Sequence, residues 1–320
     1  MSSEEGTERD LIVDTDVLQI NDDALALYYL LALGRVPRLI TTVFGNASAA
    51  SSARHAQTLA WAHSLDIDVL PGCEKPLWWN APLRERVRAA VAALPAETYV
   101  AWLSPDNEHF WGTGTEDGPA PQALATALQR SHGSDVLAIG PVTNIARALQ
   151  LTEPSALARH SLWIAGGSIT SGNVTEHAEF NAFADPEALE KCLSARWRAV
   201  VMAPLEVLAA PRLLPAAVDR IRRTATPLGA ALDKLERESP RGANKDREPI
   251  WDVVAAVLMA GGNVRYGQQT GTISVSTDLP YRARIGFRQG SGTHRLVTDI
   301  DPDAVVEQFE VVVSRLRLSR

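Results

Sequence analysis

Short β-rich apolar runs alternate with helical patterns through the first two thirds of the chain. That alternation limits what the chain can fold into more than any other feature. "LIVDTD" (11–16) reads as a buried strand and "DDALALYYLLALG" (22–34) as a helix closed by Gly34. "RLITTVFGN" (38–46) is the next strand, "SAASSARHAQTLAWAHSL" (48–65) a helix with small residues on one face, and "IDVLPG" (67–72) a third strand. "DVLAIGP" (135–141), "SLWIAGG" (161–167) and "RAVVMAP" (198–204) follow, each ending at Gly or Pro and leading towards a helix. This order predicts an α/β fold: an open, mostly parallel sheet with helices on both faces. Ligands in such sheets bind beyond the carboxyl ends of the strands.

The rest of the chain fits one domain spanning 1–320. At 320 residues and 46% hydrophobic content there is enough apolar surface for a large single core. Residues 1–10 are polar and acidic, read as a flexible N-terminus without the basic and apolar parts of a signal peptide. Residues 74–120 break the strand–helix rhythm, and their aromatics among Gly, Pro and Asp predict a lid-like insertion over a site. Residues 214–262 read as helical apart from the polar break "ESPRGANKDREP". The tail returns to short strands, "GTISVS", "YRARIGF" and "HRLVTDI", before a final helix near 302–318.

A formal net charge of −7 and the lack of a basic stripe argue against a nucleic-acid partner; the short "RIRR" at 220–223 reads as a solvated helix face. No run approaches the roughly 18 apolar residues of a membrane span. Cys73 and Cys192 lack zinc spacing and read as reduced thiols, which suits a cytoplasmic protein.

Chemistry concentrates at the end of the first strand. Asp14, Asp16, Asp22 and Asp23 fall within ten positions, although adjacent acids repel and resist burial. One Asp after a strand is an ordinary helix cap, and Asp22 suits that role. Four exceed what capping needs, and a hard divalent cation with oxygen ligands, Ca²⁺ or Mg²⁺, offsets their repulsion. Glu179 and Asn181 flank Phe180 in "AEFNAFADPEA" and would point the same way in an extended segment. A carboxylate beside a carboxamide suits sugar hydroxyls, but taken alone the stretch is better explained as a polar loop before a helix capped by Asp185. "GGSITSGN" adds a flexible Gly pair and Asn173. Asp252 opens the apolar helix "PIWDVVAAVLMA", either favoured there by the helix dipole or as a further ligand; Trp251 beside it packs in the core or stacks on a ligand. In "IGPVTNIARAL" the Gly-Pro turn frees the carbonyl of Ile139, while Thr143 and Asn144 read as caps.

Taken together, "DTD…DDALAL", "ITTVFGN", "GCEKPL", "IGPVTNIARAL", "IAGGSITSGN", "AEFNAFADPEA" and "WD" resemble the inosine–uridine-type nucleoside hydrolases, in that family's order, from about residue 11 to the C-terminal helix. The resemblance implies a nucleoside hydrolase-like fold and a Ca²⁺-dependent enzyme that cleaves the N-glycosidic bond of a small-molecule nucleoside. It also implies assembly as a homodimer or homotetramer. Asp16 is then both Ca²⁺ ligand and the base that activates water, Asp23 a bidentate ligand, and Asp22 the partner of a ribose hydroxyl. The Ile139 carbonyl and Asp252 complete the ligands. Asn46, Asn173, Glu179 and Asn181 match ribose-binding positions, Phe180 between the last two counts as substrate-binding, and Asp14 matches an acid behind the ligands.

Two departures stand out. The family motif D-x-D-P-G-x-D-D has no Pro-Gly here: "VLQIN" separates Asp16 from Asp22 and is two residues longer. Many members carry a His before the Asp matched by Asp252, where this chain has Trp251. That resembles the purine-preferring branch, with Trp78, Trp79 and Trp111 as a second wall around the base. His109 and His177 are spare candidates for protonating the leaving group. Three alternatives remain: a non-catalytic nucleoside or ribose binder, a hydrolase of a specialised modified nucleoside, and a haloacid dehalogenase-type phosphatase with Asp14 as nucleophile.

Overall fold

The computed structural model describes residues 9–18, 21–79, 81–94, 117–224 and 248–316, together with 104, 107 and 228. Strand β1 (Asp10–Thr15) has five of its six residues buried, as a strand covered on both faces must. It is followed by α1 (Asp22–Ala32), β2 (Leu39–Thr42), α2 (Ala49–Ala62), β3 (Asp68–Pro71) and α3 (Ala81–Ala92). Then come α4 (Ala120–Arg130), β4 (Ser134–Ala138), α5 (Thr143–Leu149), α6 (Pro154–Leu157) and β5 (Ser161–Ala165). Helices α7 (Phe180–Ala184) and α8 (Pro186–Ser194) lead to β6 (Ala199–Ala203) and α9 (Leu205–Leu208). A short ribbon of β7 (Arg212–Leu213) and β8 (Glu248–Pro249) brackets α10 (Pro215–Thr224). The chain ends with α11 (Trp251–Ala260), β9 (Tyr266–Val275), β10 (Ile285–Gln289), β11 (His294–Ile300) and α12 (Pro302–Val313).

Nine strands form one sheet in the order β10-β9-β11-β6-β5-β4-β1-β2-β3. All pairs from β3 to β11 are parallel, and β9 and β10 add an antiparallel edge. The expected open, mostly parallel sheet is present. Side chains of β1 divide between its two faces: Leu11 and Val13 join a core with α1, α11 and α12, while Ile12 joins a second core with α4, α5 and α8. Strand order reverses across β1, with β2 on one side and β4 on the other, so the switch point lies at the carboxyl ends of β1 and β4.

Several boundaries differ from expectation. Of the residues expected in a flexible N-terminus, Asp10 opens β1 and Arg9 pairs with Asp135 at 3.0 Å, while 1–8 lie outside the described residues. The strand expected over 38–46 stops at Thr42, because its partner β1 ends at Thr15; Val43 N–H still donates to Thr15 O before the chain turns away. Asn21, not Asp22, caps α1, accepting from Ala24 N–H at 3.3 Å. Gly34 does close that helix, with φ +77°, a conformation that side chains rarely adopt. β9 begins five residues earlier than 271, since β11 pairs with it as far as Tyr266. Within the expected lid, Ala81–Ala92 form α3, while residues 80, 95–103, 105–106 and 108–116 lie outside the described residues.

Candidate functional site

The site grows from the switch point. Ile139 N–H donates to Asp14 O at 2.9 Å, which sets the end of β4 beside the end of β1. Asp16, 1% exposed, follows β1 and faces two loops. From one, Asn46 N–H donates to its Oδ2 at 2.6 Å. From that same loop, Gly45 comes so close that a Cβ there would lie 2.1 Å from Asp16 Oδ2. Gly45→Ala is therefore expected to displace the Asp16 carboxylate. Calorimetric titration should read the change as a loss of divalent-cation affinity of about 10-fold or more.

Asp22 and Asp23 lie in the first turn of α1, and Asp252 in the first turn of α11, which packs against α1. Both helix N-termini favour negative charge. Carboxylate oxygens of Asp22, Asp23 and Asp252 all fall within 4.8 Å of one another. Burial raises Asp23 to about 7, with Asp22's charge adding to it, and burial raises Asp22 to about 6. Asp252 is held well above the usual range by burial and by the charges of Asp22, Asp23 and Asp16. Asp16 is raised likewise by burial and then by Asp23. Four carboxyls thus share one electrostatic neighbourhood, and the three within 4.8 Å need a counter-charge to stay ionised there. Oxygen donors alone fit a hard divalent cation better than zinc.

Asp23 is gripped at both oxygens. Thr15 Oγ1 donates to Oδ1, and Asn21 Nδ2 donates to Oδ2 at 2.7 Å. Asp14 is fully buried; its Oδ1 accepts from Thr41 Oγ1 at 2.6 Å and Asn144 Nδ2 at 2.8 Å, while Oδ2 has no partner among the described residues. Burial raises Asp14 to about 7.

Other expected residues take different local forms. Glu179 and Asn181 do not share an extended segment, because the helix α7 begins at Phe180; Glu179 caps it, accepting from Gly167, Asn181 and Ala182 N–H at 2.7, 2.9 and 3.1 Å. Asn181 Nδ2 donates to Ala165 O at 3.2 Å and Ile139 O at 3.4 Å, tying the ends of β5 and β4 to this turn. A carbonyl has two lone pairs, so Ile139 O keeps one for a ligand. Asp185 caps α8 as expected, with Ala188 N–H at 3.1 Å, but Thr143 and Asn144 are not caps. Thr143 Oγ1 donates to Asp185 at the start of α8, and Asn144 bridges Asp14, Thr42 and Cys73, so both side chains are taken up by distant partners.

Phe180 is half-buried against the second core, Asn46 is half-buried, and Asn173 is exposed. Trp251 is half-buried against the first core, its indole N–H buried and unpartnered among the described residues. Trp78 is 3% exposed; its Nε1 donates to Ala184 O at 2.9 Å and the Arg282 guanidinium lies 4.9 Å from its ring, so it packs inside the fold. Trp79 is half-buried under Lys75 and Arg84. His177 sits against Tyr281, and His109 and Trp111 lie outside the described residues. The sequence pattern does not single out Thr15, Asn21 or Gly45; an Asn two residues before Asp23 is the one signal it carries.

Residues 11–307 match a family described as inosine-uridine preferring nucleoside hydrolase. The chain is similar to the pyrimidine-specific ribonucleoside hydrolase RihA of Salmonella typhimurium, 28% identical over 232 residues, 70% of this chain and 69% of that protein. It is also similar to the non-specific ribonucleoside hydrolase RihC of Klebsiella pneumoniae, 33% identical over 201 residues, 62% of this chain and 61% of that protein. Among solved structures, an inosine-guanosine nucleoside hydrolase superposes with a TM-score of 0.78 at 19% identity, covering 97% of this chain and 100% of that one. The purine-preferring ribonucleoside hydrolase from Gardnerella vaginalis gives 0.73 at 20%, covering 96% and 98%. At those identities the structures establish the fold.

Proposed function

Because the chain belongs to the inosine-uridine preferring nucleoside hydrolase family, we propose that it hydrolyses the N-glycosidic bond of a ribonucleoside with the help of Ca²⁺, giving free base and ribose. One observation carries the reading: carboxylates from the chain just after β1, from α1 and from α11 share one neighbourhood at the switch point, with no cationic side chain in the group among the described residues. The residues fit a cation, which Asp16, Asp23, Asp252 and the Ile139 carbonyl would hold. Ca²⁺, when bound, supplies neutralising charge, a grip on the ribose 2′- and 3′-hydroxyls, and a lowered pKa for water beside it.

The chain's own groups do the rest. Asp16, its Oδ2 fixed by Asn46 N–H, takes a proton from the attacking water through its other oxygen. A bond forms from that water oxygen to C1′ as the C1′–N bond breaks, and the base leaves with the electron pair and picks up a proton. Positive charge builds on the sugar ring meanwhile, and the surrounding carboxylates stabilise it. Asp22 accepts from a ribose hydroxyl. Asn46, Asn173, Glu179 and Asn181 hold the remaining sugar hydroxyls, and Phe180 closes that side. Asp14 backs Asp16 from the strand below.

Base preference rests on Trp251. The two named relatives are pyrimidine-specific and non-specific by their names, whereas here a half-buried Trp251 directly precedes Asp252 at the start of α11. It leans the site towards purines, with Trp79 a further wall. Trp251→Ala is expected to lower kcat/KM for inosine about 10-fold, the worth of one base–aromatic stack, with a smaller effect on uridine.

A nucleoside panel scored by free ribose, with and without chelator, tests the whole reading. Ribose release from inosine, adenosine or guanosine that stops on chelation is the expected result. Tight nucleoside binding with no ribose release would overturn it in favour of a non-catalytic binder. The working form we take to be a cytoplasmic homodimer or homotetramer, which light scattering checks. Cys73 and Cys192 are buried free thiols, in keeping with a reducing compartment, and among the described residues no helix is long and apolar enough to cross a membrane.

A further inference from the structure

We propose that Asn21 is a positioning residue that lets the lengthened loop of this chain present Asp23 to a divalent cation. The inference rests on the metal-centre reading above. Five residues, "VLQIN", separate Asp16 from Asp22, and the loop has no Pro-Gly to fix its turn. A longer loop without Pro has more conformations to lose on ordering and does not by itself set where α1 begins.

Asn21 supplies what the loop lacks, at three points. Its Oδ1 accepts from Ala24 N–H at 3.3 Å, satisfying a donor that the first turn of α1 leaves open. The same oxygen accepts from Leu18 N–H at 3.4 Å, tying Leu18 to the start of α1. Its Nδ2 donates to Asp23 Oδ2 at 2.7 Å. On the other side the Thr15 hydroxyl donates to Asp23 Oδ1 and itself accepts from Val17 N–H at 3.2 Å. With a donor on each oxygen, the Asp23 carboxylate cannot rotate, yet each oxygen keeps lone-pair capacity for a cation. Donors of this kind behind a ligand set its direction and its affinity.

A helix cap needs only the oxygen of Asn21, whereas the grip on Asp23 needs its amide nitrogen. Serine at this position keeps the cap and loses the nitrogen; alanine loses both. The experiment titrates calcium chloride into the chelator-stripped full chain by calorimetry, for the unsubstituted protein, Asn21→Ser and Asn21→Ala, and records the metal-free Tm of each. Asn21→Ser is expected to weaken calcium binding about 10- to 100-fold while its metal-free Tm stays near that of the unsubstituted chain. Asn21→Ala is expected to weaken binding as much and to lower the Tm as well. Unchanged calcium affinity in Asn21→Ser, with a lowered Tm only in Asn21→Ala, would make Asn21 a cap alone and overturn the proposal. Failure of the unsubstituted chain to bind calcium is a different result, and it would remove the metal-centre reading together with this one.

Discussion

Asp16→Asn is expected to lower kcat for ribonucleoside hydrolysis by about 100- to 10,000-fold, the worth of a positioned general base. Asparagine has the same shape, and its Oδ1 can still accept the Asn46 N–H that meets Asp16 at 2.6 Å. Its amide nitrogen can neither take a proton from water nor balance a cation's charge. Stability is expected to move the other way. Asp16 is buried among Asp22, Asp23 and Asp252, and its ionised form is disfavoured there. Removing that charge relieves the repulsion, so the metal-free variant should melt higher than the metal-free parent at pH 8. Activity lost while metal-free Tm rises is a signature that a merely damaged fold would not give. Steady-state kinetics and a thermal melt on the same preparation check both halves.

The second large effect concerns metal and pH together. The carboxyls of Asp16, Asp22, Asp23 and Asp252 all titrate higher in the folded chain than the 3.8 of an ordinary Asp, Asp22 near 6 and Asp23 near 7. Over that interval the folded chain holds protons that the unfolded chain has released. The stability that Asp22 and Asp23 contribute is complete below about pH 4 and is lost as pH rises through 6 to 7, and Asp16 and Asp252 act in the same direction. Metal-free protein should therefore melt progressively lower from pH 4 to pH 8. A bound cation replaces the protons and cancels most of that loss. At saturating calcium the Tm should rise by about 5–10 °C at pH 8 and by much less at pH 5. Asp185, also raised to about 7 by burial, bonds to Thr143 and Leu77 and does not belong to the cluster. Its share of the pH slope should survive calcium addition. Equal calcium shifts at both pH values would mean that the ion binds elsewhere.

Local pattern in the sequence carries the architecture further than it carries the site. Alternating apolar runs and Gly or Pro stops suffice to place β1 to β6 in a parallel sheet, and hence to put Asp16 and Ile139 at ligand-binding strand ends. Helix starts are less legible, since Asn21 and Asp22 are both good caps and only the path of the loop decides between them. Contacts between distant segments are not legible at all. Thr143 and Asn144 look like caps from their neighbours, but Asn144 meets Asp14 across 130 positions of chain and Thr143 meets Asp185 across 42. Trp78 looks like a ligand platform in a loop, yet its ring is taken up by Arg282 and Ala184, more than 100 positions away. The early start of β9 follows from pairing with β11, which no feature of residues 266–270 announces.

The most direct test is diffraction from crystals of the calcium-loaded protein with ribose. The expected map has one strong peak at the carboxyl ends of β1 and β4, contacted by Asp16, Asp23, Asp252 and the Ile139 carbonyl, with the sugar diol on its open side. A cation found away from these residues, or ribose bound with the cluster untouched, would contradict the central claim.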